Sequence, residues 1–318
     1  MTNKPLISII IPVFNVEKTI EKCLQSIFEL NYPNYEVIII NDGSTDNTGK
    51  ILVKYSDKLK ILETLGIGPS AARNIALKEA KGEYIALTDG DCIVDKEWLN
   101  KLLEGFLVDK KIVGVGGTQV SPEDETEFGK MITNFMKSVG FIDYIKTKTA
   151  KGYFTSHNPS CNVMYKKEIF DKVGNFKEGL WPGEDVEFDY RITKIGYKLF
   201  FNPEAVVYHY RAENILKFIK MMFNYGKAQG ILVRMYGFFR KLHFVPIIFF
   251  PLIIFFIWTM TISLEFGFSK FLLVLNVIFL YAIFRTNNFI EWLRFIVLFI
   301  ITIFVWNIGF LHGVLFKK

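Results

Sequence analysis

The last 77 residues of this 318-residue chain are almost free of charge, and this tail constrains the fold more than any other feature. The tail contains 16 of the 32 phenylalanines. Its only charged residues are Glu265, Lys270, Arg285, Glu291, Arg294, Lys317 and Lys318. Residues 1–241 hold the other 33 Lys and Arg and 30 Asp and Glu. The chain therefore joins a charged globular part to an apolar tail, which excludes a disordered or fibrous protein.

Three apolar stretches of the tail are close to the length of a membrane-spanning helix, which needs about 20 residues. They comprise residues 244–264, 268–284 and 295–316. The middle stretch reaches this length only if Lys270 extends its amine to the interface. We therefore expect about three spans in a transmembrane region of residues 242–318. The alternative is a helical hairpin buried in a soluble core, where charge-free stretches this long are rare.

Basic residues near these stretches predict the orientation of the chain in a membrane. Six of them precede the first stretch: Lys217, Lys220, Lys227, Arg234, Arg240 and Lys241. By the positive-inside rule, residues 1–241 are expected on the cytoplasmic side of a multi-pass protein of the cell membrane. Three full spans would place Lys317 and Lys318 outside, unless the last stretch returns or lies partly in the interface.

Residues 212–241 are predicted to form a basic amphipathic helix before the first stretch. Lys217, Lys220, Asn224 and Lys227 recur at spacings of three and four, which places them on one side of a helix. Such a helix can lie among lipid headgroups with its lysines towards the phosphates. An ordinary solvated helix face is the simpler alternative.

The three cysteines, Cys23, Cys92 and Cys161, lie far apart in the sequence and form no C-x-x-C pair. An odd number of dispersed cysteines excludes a small disulfide scaffold and is typical of a reducing compartment. The spacing also argues against a structural zinc site.

Residues 1–211 alternate between strand-like apolar runs and helical patterns. The runs at residues 6–11 and 35–40 are rich in isoleucine, as in strands buried on both faces. Helices are predicted over residues 17–30, 46–55 and 70–80 from their apolar spacing. This alternation predicts an α/β domain with a parallel sheet and right-handed crossovers.

Polar residues follow three of the predicted strands, at residues 12–15, 42–44 and 89–91. Ligands bind at the carboxyl ends of parallel strands, so we expect these residues to share one site. Two carboxylates one residue apart, Asp89 and Asp91, can hold Mg²⁺ or Mn²⁺ together with substrate phosphates. Taken alone, this pair could also be a surface turn. The absence of Walker and G-x-G-x-x-G motifs argues against P-loop NTPases and dinucleotide dehydrogenases.

Two acidic residues, Glu184 and Asp185, precede a predicted helix over residues 186–195. A carboxylate placed here can act as a general base for an acceptor hydroxyl, although helix capping would also explain the pair. His209, near the end of a strand-like run, is a candidate third metal ligand or a buried structural histidine.

Other polar positions downstream are less determined. His157 and Asn162 lie in a polar loop and receive no defined role. Residues 123–148 are expected to be helical and to lie over the site.

The order of these motifs resembles that of the family 2 glycosyltransferases, which have the GT-A fold. The matching segments are residues 8–15 (SIIIPVFN), 41–45 (NDGST), 71–74 (AARN), 82–91 (GEYIALTDGD), 162–165 (NVMY), 183–185 (GED) and 203–209 (PEAVVYH). The resemblance implies a GT-A domain over residues 1–211, with a Rossmann-like, mostly parallel mixed sheet. Together with the apolar tail, the chain looks like members that build polysaccharides or lipid-linked glycans.

The resemblance also implies a nucleotide-sugar donor, a UDP- or GDP-sugar, and the residues that bind it. Pro12 and Phe14 would lie against the base, and Asp42 would bind the base or the ribose. Arg73 would lie near the nucleotide or its diphosphate. Asp89 would contribute both to the ribose–phosphate contacts and to the metal.

The family's catalytic residues can be matched in the same way. Asp89 and Asp91 look like its pair for binding Mg²⁺ or Mn²⁺. Asp185 looks like the catalytic base of an inverting transfer, and Glu184 would orient or bind the acceptor.

The chain also departs from the family pattern. Cys92 follows Asp91 where a further acid is frequent, and the Q-x-x-R-W signature of processive members is absent after His209. We therefore expect transfer of a single sugar, which we expect to be a hexose. The predicted position at the membrane favours a lipid-linked glycan or polyprenyl phosphate as the acceptor.

The expected partners are the donor, the lipid-linked acceptor and the bilayer, with no nucleic acid. Two other functions remain open at this point. A sugar nucleotidyltransferase would need a basic loop after the first strand, where only Lys18 is present. A non-catalytic membrane scaffold would require loss of the site carboxylates.

Overall fold

The computed structural model describes residues 4–139, 151–264, 269 and 288–316. Within this part of the chain there are two compact units, which divide after Arg211. The first unit holds a sheet covered by helices, and the second holds long apolar helices.

The sheet of the first unit has nine strands among the described residues. They are β1 (Ile7–Val13), β2 (Tyr35–Asp42), β3 (Lys60–Thr64), β4 (Tyr84–Leu87), β5 (Cys92–Val94), β6 (Ile112–Val120), β7 (Tyr153–Thr155), β8 (Val163–Lys166) and β9 (Lys198–His209). Their order is β3-β2-β1-β4-β8-β6-β9-β5, and β7 also pairs with β9. The neighbours β3, β2, β1 and β4 are all parallel, which confirms the parallel sheet expected from the early alternation.

The other half of the sheet is less regular than the sequence suggests. β8 runs antiparallel to both β4 and β6, and β9 runs antiparallel to both β5 and β7. Only β6 and β9 are parallel there, so the sheet is mixed, and its three longest strand pairings are parallel, as expected. β5, β6 and β7 were not predicted, because β5 and β7 have three residues each and β6 contains three glycines.

Seven helices of the first unit accompany these strands among the described residues. They are α1 (Ile20–Phe28), α2 (Thr48–Val53), α3 (Pro69–Glu79), α4 (Trp98–Gly105), α5 (Glu127–Ser138), α6 (Glu168–Val173) and α7 (Glu184–Lys194). The predicted helices over residues 17–30, 46–55, 70–80 and 186–195 correspond to α1, α2, α3 and α7. Pro69 opens α3, where its missing N–H costs no hydrogen bond. The Thr126 hydroxyl caps α5 by accepting from the N–H of Gly129.

The isoleucine-rich strands are buried on both faces, which explains their continuous apolar sequence. Ile9 and Ile11 belong to the apolar layer that contains Leu24 of α1. Ile10 belongs to the opposite layer, which contains Ala76 of α3 and Phe188 of α7. Because both layers are covered, alternate residues of β1 are equally apolar, as in other buried parallel strands.

The second unit begins with α8 (Ile215–Tyr236), within the predicted amphipathic segment 212–241. A short 3₁₀ helix (Lys241–Phe244) leads into α9 (Val245–Ile262), and α10 spans Phe289–Leu315. The segments 241–262 and 289–315 are long and apolar enough to cross a membrane. They overlap the predicted stretches 244–264 and 295–316. Apart from Ser269, the predicted stretch 268–284 lies outside the described residues.

α8 packs closely and in parallel along the second half of α10. A Cβ on Gly226 would overlap the carbonyl oxygen of Trp306, and one on Gly230 would overlap that of Phe310. Arg234, near the end of α8, donates hydrogen bonds to the carbonyl oxygens of Gly313 (3.1 Å) and Phe316 (2.8 Å). Much of α8 is therefore covered by an apolar helix, a contact that its lysine pattern did not predict.

Candidate active site

The ends of β1 and β2 form one side of the site. Phe14 is 56% exposed just beyond β1, beside the half-buried Pro12. Asn15 takes a left-handed conformation (φ 53°), and its side-chain oxygen accepts from the N–H groups of Thr45 (2.8 Å) and Asp46 (3.3 Å). These bonds join the turns after the two strands and leave the Phe14 ring open to an aromatic ligand.

Asp42, at the end of β2, organises the loop between β3 and α3. Its Oδ1 accepts from the Thr64 hydroxyl (2.6 Å) and the Ile67 N–H (2.8 Å), and its Oδ2 accepts from the Gly68 N–H (2.7 Å). Burial raises the pKa of Asp42, but these hydrogen bonds outweigh it and hold the pKa below its ordinary value. Asp42 is therefore ionised, and its carboxylate is largely occupied by the loop.

A buried arginine joins the two acidic motifs of the site. The Nη2 group of Arg73, on α3, donates to Oδ1 of Asp89 at 2.7 Å, just after β4. Its Nη1 group donates to Oε1 of Glu184 at 2.7 Å, at the start of α7. The Arg73 and Glu184 side chains are each 2% exposed, whereas Asp89 is 29% exposed. Arg73, expected near the nucleotide, thus holds Asp89 and Glu184 in place.

The environment of Glu184 favours its neutral form. Burial raises the pKa of this carboxyl to about 7, and the neighbouring Asp185 charge adds to the rise while Arg73 opposes it. Oε2 of Glu184 is buried without a hydrogen-bond partner among the described residues. This burial favours a role in positioning Arg73 over direct contact with an acceptor.

Strand register brings Asp91 and His209 together. β5 and β9 pair antiparallel with Cys92 opposite His209, so Asp91 lies beside the imidazole. The Nε2 atom of His209 is 3.5 Å from Oδ1 of Asp91. On the other side of the ring, Nδ1 is 3.4 Å from Oε1 of Gln119 and 3.1 Å from Nη1 of Arg211.

The carboxylate oxygens of Asp89 and Asp91 are of the donor type that Mg²⁺ and Mn²⁺ prefer. Asp91 presents carboxylate oxygen, and its side chain is 40% exposed and open to a substrate phosphate. If Nε2 of His209 binds a metal, Nδ1 must carry the proton and donate it to Gln119. Arg211, which can only donate, would then have to leave its 3.1 Å contact with Nδ1. Arg73 occupies one oxygen of Asp89, which leaves this residue's second oxygen for a ligand.

Asp185 lies at the start of α7 and is 16% exposed. Its Oδ2 accepts from the Ser160 N–H at 3.2 Å and lies 3.9 Å from Nε2 of His157. The Nδ1 atom of His157 is 2.9 Å from Oδ2 of the fully buried Asp189, one helical turn after Asp185. Asp189 also accepts from the Tyr165 hydroxyl at 2.7 Å. The buried Asp189 therefore orients His157 towards Asp185, the candidate base. The only sign of this in the sequence was the i, i+4 spacing of Asp185 and Asp189, which places them on one side of α7.

The remaining polar positions are mainly structural. Asn162 is fully buried and donates to the carbonyl oxygens of Thr118 (2.9 Å) and Ala205 (3.0 Å), so it ties β8 to its neighbours. Of the segment 123–148, residues 127–138 are helical as predicted, and the part beyond 139 lies outside the described residues. Glu125 accepts from the Arg211 N–H at 2.7 Å, just after His209.

The mixed sheet, the paired aspartates after β4 and the acidic start of α7 together place the chain in the class of GT-A glycosyltransferases. Residues 8–174 match the family model described as "Glycosyl transferase family 2". The chain belongs to this family, and we conclude that it is a glycosyltransferase.

Curated relatives agree with this assignment. The chain is 32% identical over 254 residues to a dolichyl N-acetyl-alpha-D-glucosaminyl phosphate 3-beta-D-2,3-diacetamido-2,3-dideoxy-beta-D-glucuronosyltransferase from Methanococcus voltae, covering 76% of this chain and 77% of the relative. It is 30% identical over 234 residues to glycosyltransferase AglE from Haloferax volcanii, covering 71% and 73%.

A solved structure supports the fold independently. The mannosyltransferase PcManGT from Pyrobaculum calidifontis, in complex with GDP-Man and Mn²⁺, matches with a TM-score of 0.63. The match covers 100% of this chain and 89% of that one at 17% identity, so it bears on the fold alone.

Proposed function

We propose that the protein transfers one hexose-type sugar from a UDP- or GDP-sugar to a lipid-linked glycan or polyprenyl phosphate, with inversion at the sugar carbon. The reaction would take place at the cytoplasmic face of the membrane and would require Mg²⁺ or Mn²⁺. One observation carries the proposal: Arg73 binds both Asp89, a proposed metal ligand, and Glu184, which neighbours the proposed base Asp185 at the start of α7. Donor and acceptor chemistry therefore meet at one edge of the sheet.

The residues divide the work by position. The exposed Phe14 would stack on the base, beside Pro12, and the loop ordered by Asp42 would contact the base or ribose. Asp185 would take the proton of the acceptor hydroxyl as it attacks the sugar carbon from the side opposite the leaving group. A cation held by Asp89, Asp91 and His209 would neutralise charge on the departing nucleoside diphosphate.

The lipid-linked acceptor is supported by two features. The Methanococcus voltae relative is named for a dolichyl-linked acceptor. This chain itself has two helices long enough to cross a membrane, preceded by a basic helix. An enzyme held at the bilayer meets a lipid-linked acceptor at high local concentration.

A decayed scaffold is disfavoured by the same site. Asp42, Asp89, Asp91 and Asp185 are all present, and three of them are held by specific hydrogen bonds. A nucleotidyltransferase is disfavoured because the described loop after β1 supplies only Lys18 as a cation.

The test is a donor screen with the purified full-length protein in detergent or nanodiscs. Radiolabelled UDP- and GDP-sugars are offered with polyprenyl phosphate and with a lipid extract of the source organism. We expect label in the lipid phase from one donor, loss of transfer with EDTA, and recovery with Mn²⁺ or Mg²⁺. NMR of the product should show the anomeric configuration inverted. Transfer that survives complete chelation would exclude the metal, and a retained configuration would exclude Asp185 as base of a single displacement.

A further inference from the structure

Two of the dispersed cysteines come together beside the candidate catalytic metal site. Cys92 and Cys161 are 1% and 5% exposed, and both are free thiols. Their Sγ atoms and one ring nitrogen of His209 all lie within 4.8 Å of one another. Among the described residues, the fold thus brings three potential metal ligands together. The spacing of these residues in the sequence gave no sign of this group.

The two ring nitrogens of His209 face different ligand types. Nε2 faces the Asp91 carboxylate at 3.5 Å, whereas Nδ1 lies 3.8 Å from Sγ of Cys161. Oxygen donors select Mg²⁺ and Mn²⁺, and thiolates select Zn²⁺ and other soft cations. His209 therefore stands between a hard site and a soft site.

The geometry of the cysteine group is close to that of tetrahedral zinc. Zn–S and Zn–N bonds of the usual length place ligand atoms about 3.5–3.8 Å apart. The Cys161–His209 distance already has this value, and Cys92 Sγ lies within 4.8 Å of the other two ligand atoms, which leaves the fourth position to solvent. Arg211, 3.1 Å from Nδ1, would have to turn away and keep only its bond to Gln119 (3.0 Å).

We infer that Cys92, Cys161 and His209 form a binding site for a thiophilic divalent cation, and that its occupation inhibits the transferase. Binding releases two thiol protons to solvent and uses Nδ1 of His209. A neutral imidazole with a metal on Nδ1 keeps its proton on Nε2, so it can no longer ligate the hard cation at that atom. The inhibitory part rests on the proposed function, whereas the cation site itself does not.

The test uses Cd²⁺ as the probe and the purified full-length protein. Cadmium–thiolate charge transfer gives an ultraviolet absorbance that reports binding without any sugar transfer. We expect one Cd²⁺ per chain, and loss of this signal in Cys92→Ser and Cys161→Ser. Cys23→Ser is the matched control, because Cys23 is also buried and lies near Asp89 but outside the group. Its signal should equal that of the parent.

The inhibition is measured on the same proteins with Zn²⁺. The half-inhibitory Zn²⁺ concentration should rise at least about tenfold in Cys161→Ser and remain unchanged in Cys23→Ser. Added Mn²⁺ should shift the Cd²⁺ titration to higher concentration. Absence of the charge-transfer band in the parent, or its persistence in both serine variants, overturns the site. If Cd²⁺ gives the charge-transfer band but the protein transfers no sugar, the proposed function is wrong and the cation site stands. Should a serine variant fail to fold, Cys161→Ala and the Mn²⁺ competition in the parent decide the matter.

Discussion

The Nη1 group of Arg73 donates to Oε1 of Glu184 at 2.7 Å, and each side chain is only 2% exposed. The same guanidinium donates to Asp89, so one cation holds two carboxyl groups that are far apart in the first unit's sequence. A planar fork with separate donors can do this, whereas a lysine ammonium is a single point charge. These two bonds therefore set the position of Asp89 relative to the start of α7.

From this geometry we predict that Arg73→Lys lowers kcat by about 10- to 100-fold while the KM for the donor changes little. Lysine keeps the buried charge but cannot reach both carboxylates, and small displacements of reacting groups have effects of this size. Steady-state kinetics of the purified variant check it, with Lys54→Arg on the exposed end of α2 as control. A large rise in donor KM at unchanged kcat would show instead that Arg73 binds the nucleotide.

Removing the charge of Asp185, the proposed base, in Asp185→Asn should lower transfer by about 10²-fold or more, because the acceptor hydroxyl would then have no base. Asp91→Asn should have a similar effect through weaker stabilisation of the leaving group. Both substitutions are nearly isosteric, so the variants should unfold at the parent's temperature. Asp57→Asn, at an exposed position, serves as control. Near-normal turnover by Asp185→Asn would exclude it as the base.

His157 offers a finer test of the same carboxylate. In His157→Asn the amide can still meet Asp189 in place of Nδ1, but the group at Nε2, 3.9 Å from Asp185, is lost. We expect kcat to fall roughly tenfold, with a changed pH–rate profile and an unaltered donor KM. His157→Gln, which instead imitates Nε2, should recover part of the rate. Equal activity of both variants with an unchanged pH profile would leave His157 only a structural role.

The first half of the sheet was predictable because its signals are local. Buried parallel strands such as β1 have continuous apolar sequences, and the aspartates Asp89 and Asp91 directly follow such a strand. The contacts of Arg73 were not predictable, since its partner Glu184 is 111 residues away and no periodicity connects them. The cysteine group depends likewise on the register of β5 with β9. Three-residue strands carry too little pattern to fix such a register.

The raised pKa of Glu184 gives a prediction for stability against pH. In the unfolded chain this carboxyl would titrate near its ordinary 4.5, whereas the folded value is about 7. Between these values the folded state holds a proton that the unfolded state has lost, so stability falls as pH rises from about 4.5 to about 7 and levels off above.

Glu184→Gln removes this titration and keeps an oxygen that can accept from Arg73. The unfolding temperature of the parent should therefore fall relative to that of the variant over this pH range. Thermal unfolding of both proteins in the same detergent measures the difference. Glu63→Gln, at an exposed position of β3 in the same unit, is the control and should follow the parent. A difference that is constant with pH would contradict the protonation of Glu184.

Arg234 donates to the carbonyl oxygens of Gly313 and Phe316, so the end of α10 lies beside the end of α8. Only a few residues later come Arg240 and Lys241, which the positive-inside rule assigns to the cytoplasm. We therefore predict that Lys317 is on the cytoplasmic side as well. The chain would then cross the membrane an even number of times between Lys241 and Lys317. In that case α10 either returns to the cytoplasm or lies along the cytoplasmic interface of the membrane.

Cysteine labelling in whole cells tests this placement. The natural cysteines are buried, so a membrane-impermeant maleimide should report mainly on an introduced thiol. Lys317→Cys should label only after the cells are opened, as should Lys58→Cys in the first unit. Ser263→Cys, just after α9, should label in intact cells if α9 crosses the membrane. Labelling of Lys317→Cys in intact cells would mean that the end of α10 is external and that the two helices cannot remain paired as Arg234 holds them.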